Sequence, residues 1–63
     1  MKKFEYMTIK VDPDDRVSDI NRELNSYGED GWELVTAATD NAMDDDGDTY
    51  TEWIFYTFKR EIE

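Results

Sequence analysis

The run Asp44-Asp45-Asp46-Gly47-Asp48 comes closer to a chemical site than any other part of this chain, because carboxylates gathered around a glycine are what a calcium loop offers. The spacing fails the test. With Gly47 at the glycine position of an EF-hand loop, Asp44 and Asp46 fit, but the first ligand position falls on Ala42 and the closing bidentate position on Trp53. A weak, irregular divalent site remains as the alternative to a solvated, flexible loop; the loop is the preferred reading, and no metal or cofactor is assigned. Catalysis fares no better. Paired carboxylates do acid and base work only when two environments split their pKa values, and a hydrated aspartate loop offers one environment. Ser18 and Ser26 have no histidine to activate them, no lysine but Lys10 lies in an apolar segment, and there is no glycine-rich phosphate loop. The chain reads as a non-enzyme.

The acid has a pattern beyond that run. Between Asp12 and Glu52 the sequence carries fourteen carboxylates against two cations, Arg16 and Arg22. The ends are near balance, with Lys2, Lys3 and Lys10 on one side and Lys59 and Arg60 on the other, so the middle produces the formal net charge of −10. A duplex would be repelled by such a surface, which argues against direct nucleic-acid binding.

The elements that must position these groups are few. Sixty-three residues make a single domain, 1–63, of a size that buries only about 60% of the surface of its unfolded chain. Without cysteine or histidine, neither disulfides nor soft-ligand metal sites can reinforce it, and oligomerisation is the remaining device. The start, Met1-Lys2-Lys3-Phe4-Glu5-Tyr6, has no long apolar run behind it, so neither a signal peptide nor a membrane span is expected, and the protein is placed in the cytoplasm. Nine aromatics in periodic segments argue for a packed core rather than disorder.

Phe4 to Val11, rich in aromatic and β-branched residues, predicts a first strand that stops at Asp12-Pro13-Asp14-Asp15. Val17, Ile20, Leu24 and Tyr27 recur at helical spacing, with Asp14 or Asp15 as the expected N-cap, Gly28 as the left-handed C-cap residue and Leu24 fully packed in mid-stripe. Glu29-Asp30-Gly31 is a turn in which Gly31 takes a positive φ, and Trp32 to Thr39 is a second strand with Trp32, Leu34 and Ala38 on one face and Glu33, Val35 and Ala37 on the other. Asp40 to Asp48 reads as a long hairpin loop. Thr49 to Arg60 is the last strand, with Trp53 and Phe55 facing one way and Tyr50, Ile54, Tyr56 and Phe58 the other. A strand apolar on both faces belongs in mid-sheet. The prediction is an α+β fold, β-α-β-β, with a three-stranded antiparallel-type sheet in the order 2-3-1 and one helix on one face. Because one helix cannot cover both faces, Trp53 and Phe55 are expected at a sheet-to-sheet homo-oligomer interface.

Three segments, Lys2-Lys3-Phe4-Glu5-Tyr6, Leu24 to Val35 with its Glu29-Asp30-Gly31-Trp32-Glu33-Leu34-Val35, and Phe58-Lys59-Arg60-Glu61, resemble a family of short bacterial and phage proteins classed as a domain of unknown function. Its hallmark is an acidic residue followed by Gly-Trp-Glu-Leu-Val just after a helix ending in glycine. The resemblance implies the same fold and brings no catalytic residues with it, and the aspartate segment here is richer in acid than the family's usual hairpin.

The topology sends the turn at residues 12–15 and the loop at residues 40–48 to one end of the sheet. Asp12, Asp14, Asp15, Asp40, Asp44, Asp45, Asp46 and Asp48 would form a carboxylate pole there, with Lys2, Lys3, Lys59 and Arg60 opposite. A rigid scaffold with such a pole can occupy a basic groove that normally holds phosphates. The expected partner is therefore a basic nucleic-acid-binding protein, and the expected function is that of a charge-mimicking inhibitor of the phage anti-defence or anti-CRISPR type. The alternative is a homo-oligomeric protein-binding module of a bacterial or phage accessory system, working through its aromatic sheet face.

Overall fold

The computed structural model describes residues 1–62, so Glu63, the end of the expected domain, lies outside it. Strand β1 spans Lys3–Val11, helix α1 Val17–Glu29, strand β2 Glu33–Met43 and strand β3 Thr49–Ile62. The strands form one sheet in the order β1-β3-β2, with β3 antiparallel to both neighbours. This is the α+β arrangement that the two-sided apolar pattern of β3 requires.

Register decides which side chains share a face. Met7, Ile9 and Val11 stand opposite Phe58, Tyr56 and Ile54, and this row faces the helix. Phe4, Tyr6, Thr8 and Lys10 stand opposite Glu61, Lys59, Thr57 and Phe55 on the other face. Burial along β1 alternates accordingly, half-buried at Glu5, Met7 and Ile9 and complete at Val11.

On β2 the alternation expected from the sequence breaks. The register shifts between Leu34 and Thr36, so Leu34 pairs with Phe58 on the helix side whereas Ala38 pairs with Phe55 on the open side. Trp32, Leu34 and Ala38 therefore do not form one face, because the extra residue, Val35, reverses every side chain after it. A second shift, between Asp40 and Asn41, leaves Glu52 of β3 as the unpaired residue.

The helix carries its apolar stripe as predicted but docks lightly. Ile20, Leu24 and Tyr27 are half-buried, Val17 is exposed, and no helical residue is fully buried. Leu24 is thus not the fully packed residue its position suggested. Tyr27 meets Phe58 with ring centroids 5.4 Å apart and planes tilted by 55°. Only Val11 and Phe58 are fully buried among the described residues.

Both expected caps are corrected. The N-cap position is Arg16, with no side-chain cap, and neither Asp14 nor Asp15 fills that role. The carboxylate that organises this turn is that of Asp12, which accepts from the Asp14 amide at 2.9 Å while the Asp12 carbonyl accepts from the Asp15 amide at 3.1 Å. At the other end Gly28 lies inside the helix. The left-handed residue is Gly31, at φ +92, and the amides of Gly31 and Trp32 donate to the carbonyls of Gly28 and Tyr27 at 3.0 and 3.1 Å, the two bonds of a Schellman ending.

Candidate functional site

The acidic segment forms an arm. Strand β1 ends at Val11, opposite Ile54, whereas β3 begins at Thr49, so five residues of β3, Thr49 to Trp53, extend past the last β1 pair. At about 3.3 Å per residue the β2–β3 ribbon overhangs β1 by roughly 17 Å. Residues 40–53 of this ribbon carry six carboxylates, Asp40, Asp44, Asp45, Asp46, Asp48 and Glu52, and no cation. All six residues are exposed.

The arm is shorter in loop and longer in strand than the sequence suggested. Asp40 to Met43 belong to β2, and only Asp44 to Asp48 turn the chain. That turn is wired internally and does not read as a flexible loop. One carboxylate oxygen of Asp44 accepts from the amides of Asp46 and Asp48 at 3.0 and 2.9 Å, the Asp44 amide donates to the Asp48 carbonyl at 2.9 Å, and the Gly47 amide donates to the Asp44 carbonyl at 3.1 Å. Gly47 takes φ +86, a conformation that a side chain would strain. Asp44 is therefore the residue that shapes the tip, leaving Asp45, Asp46 and Asp48 as its outward charges.

The predicted carboxylate pole forms along one end but does not close into one cluster. Asp12, Asp14 and Asp15 sit at the base of the arm beside the end of β1, Asp44 to Asp48 lie at its tip, and Asp40 stands between them, opposite Trp53 on the open face. Among the described residues no three carboxylates converge on a point where a cation could be held.

At the opposite end one of the expected cations, Arg60, is committed to contacts within the fold. The Arg60 guanidinium donates through Nε to Glu5 Oε1 at 2.8 Å and through Nη2 to the same oxygen, and Nη1 donates to the Asp30 carbonyl at 3.2 Å. It also lies 4.4 Å from the centroid of the Trp32 ring. Arg60 thus binds β3 to β1 and to the turn after the helix, and Trp32 is held as a structural anchor. The signal was present in sequence: Glu5 continues the Met7, Ile9, Val11 row and Arg60 the Ile54, Tyr56, Phe58 row, and the register sets them opposite each other.

The face away from the helix has no element over it among the described residues. Lys10 Nζ lies 4.1 Å from the Trp53 ring centroid, Lys59 Nζ lies 5.0 Å from that of Phe4, and the Thr8 and Thr57 hydroxyls are 3.0 Å apart. Trp53 and Phe55, the expected interface residues, both fall on this face and are half-buried, while Phe4 is 39% and Tyr6 66% exposed. An open depression on the helix, lined by Ser18, Asn21, Arg22, Asn25, Ser26 and Glu29, has no strand residue in its wall and touches neither Trp32 nor the acidic arm.

A two-layer sheet-and-helix protein with an acidic arm and an open aromatic face is the class these features define. The chain belongs to the family described as domain of unknown function (DUF4177), which matches residues 4–61. No curated protein and no solved structure matches it. Among the described residues no helix is long and apolar enough to cross a membrane.

Proposed function

We propose that the protein is a non-enzymatic, acidic binding protein that inhibits a nucleic-acid-binding protein by inserting its carboxylate arm into the basic groove that otherwise takes phosphates. The observation that carries this reading is the arm itself: six exposed carboxylates, no cation, and a turn held by its own hydrogen bonds on a ribbon that overhangs the sheet. The strand axes of a two-stranded ribbon lie about 5 Å apart and its side chains make it about 10 Å thick, the scale of a groove shaped for a nucleic-acid strand. Internal wiring lowers the ordering cost of binding, and the unbalanced charge steers the encounter with a basic surface. The partner is a basic nucleic-acid-binding protein in the cytoplasm, with no direct contact to nucleic acid. A bacterial or phage anti-defence setting, against CRISPR effectors or restriction enzymes, is where such an inhibitor would act.

The test is competition. The protein should displace labelled duplex from its target, less effectively as salt rises. The Asp45→Asn, Asp46→Asn, Asp48→Asn variant, which spares Asp44 and so the turn, should lose that ability while remaining folded. Equal displacement by this variant would reject the reading.

A second reading is a homo-oligomeric binding module that uses the open face through Trp53 and Phe55, favoured by the exposure of Phe4 and Tyr6 and by the two-residue core. In that case Phe55→Asp should reduce self-association and leave the arm's binding intact.

A further inference from the structure

The open edge of the sheet is a different surface from its open face, and it belongs to β2. That strand is hydrogen-bonded to β3 alone, so among the described residues no strand lies along its outer side. Ten of its eleven residues are exposed. Edge strands are ordinarily blunted by brevity, lysine or proline. Here β2 has neither lysine nor proline and is not short: it is eleven residues long, about twice the usual length, its charged residues are Glu33 and Asp40, and its register shifts leave Thr36–Asp40 undistorted. The other edge, β1, is shorter and carries Lys3, Glu5 and Lys10.

We propose that a second copy of this chain docks on that edge, its β2 pairing antiparallel with the first about a twofold axis at Ala38, so that two three-stranded sheets become one of six strands. The inference stands independently of the acidic-arm reading, and it differs in surface from the face-to-face reading.

Three observations select a second copy in this register. Partners across an antiparallel pair must share a face, so the two residue numbers must have an even sum. The stretch free of register shifts runs from Thr36 to Asp40, centred on Ala38, and its full overlap therefore pairs Ala38 with Ala38, Ala37 with Thr39 and Thr36 with Asp40. That register sets no carboxylate opposite another, and it offers the Asp40 carboxylate a threonine hydroxyl. The stretch Thr36–Asp40 lies between the two register shifts and pairs without interruption on its inner side, so its outer side presents an undistorted ladder. Charge fixes the direction. A parallel arrangement would lay two arms of six carboxylates side by side, whereas the twofold sets the two arms at opposite ends of the joined sheet.

The experiment is sedimentation equilibrium of the full chain over a wide concentration range, at low and high salt. The wild-type protein should be a dimer at high micromolar concentration, and salt should strengthen the association, because each copy has a net charge of −10. Ala37→Lys with Thr39→Lys sets like charges opposite at both symmetric positions and should weaken the dimer by about tenfold or more. Both positions are exposed and lie on the helix side of the sheet, so the open face is untouched. Ala37→Lys with Thr39→Glu should restore the dimer to near wild-type strength, since each introduced ammonium then faces an introduced carboxylate. If the double-lysine variant fails to fold by circular dichroism, Ala37→Glu with Thr39→Glu applies the same repulsion with the opposite sign. A monomer at every concentration and salt, or a dimer indifferent to like charges at positions 37 and 39, would overturn the proposal. Loss of the dimer only in Phe55→Asp would assign association to the open face instead.

Discussion

Removing the Arg60 side chain is the sharpest test of what holds this fold together. Arg60 and Glu5 have side-chain exposures of 39% and 37%, so their ion pair is screened by solvent and contributes about 1 kcal/mol rather than the several of a fully buried pair. The stack on Trp32 adds about 0.5–1 kcal/mol, and the bond to the Asp30 carbonyl, from a charged donor at the surface, about 0.5–1 kcal/mol. Arg60→Ala should therefore cost about 2–3 kcal/mol. For 63 residues the total stability is only roughly 3–9 kcal/mol. At about 4–8 °C per kcal/mol for a domain of this size, the thermal midpoint should fall by roughly 8–24 °C. Arg60→Lys should fall between, because an ammonium keeps the charge but cannot span Glu5, Asp30 and Trp32 at once. Urea and thermal unfolding followed by circular dichroism read the difference. A variant in which Trp53 is replaced by phenylalanine lets Trp32 fluorescence report whether that ring loosens. An Arg60→Ala protein within 0.5 kcal/mol of the parent would refute this reasoning.

Phe58→Ala should cost about 3–5 kcal/mol, half or more of the total, whereas Leu24→Ala, at a half-buried position, should cost about 1–2 kcal/mol; equal losses in urea unfolding would mean the helix is packed more deeply than its exposure indicates. Gly31→Ala should cost about 1–2 kcal/mol from its left-handed backbone alone, since the nearest atom to an added Cβ would be Arg60 Cδ at 3.5 Å, an ordinary contact. Burial, reinforced by the charge of Glu23 and a hydrogen bond to it, raises the Tyr27 hydroxyl above its usual 10.0, so the folded state favours the protonated phenol. The resulting stability is fully present below the ordinary value and is lost as pH rises through the raised one. Tyr27→Phe should accordingly show a smaller drop in thermal midpoint than the parent on going from neutral pH to above 10.0, and an equal drop would contradict the assignment.

The sequence made the architecture legible where period and burial agreed. Strand β1 alternates cleanly, β3 is apolar on both sides and so lies in the middle, and Val17, Ile20, Leu24 and Tyr27 mark the helix face. What failed were features set by single residues acting on the backbone. Val35 looks like any β-branched strand residue, yet as a bulge it separates Leu34 from Ala38. Asp14 and Asp15 are good cap types in a good place, but the Asp12 side chain had already committed the turn, and the helix began without a cap. The aspartate run appeared structureless because its composition suggests hydration, while its order comes from one carboxylate, that of Asp44, accepting from amides further along its own turn. Of the candidate site, the charge and the end of the sheet were readable; the division of labour was not. Arg60 was legible only as one of four cations at the far pole, and its pairing emerges once the register brings Glu5 opposite it.

The most direct measurement of the central claim compares the parent with the Asp45→Asn, Asp46→Asn, Asp48→Asn variant as competitors for a nucleic-acid-binding target, using labelled duplex as the reporter at low and high salt. The acidic-arm account predicts that the parent displaces the duplex at low salt, that added salt weakens the effect, and that the variant, folded and with its Asp44 turn intact, fails to displace it. Displacement by the variant equal to that of the parent, or displacement insensitive to salt, would contradict it.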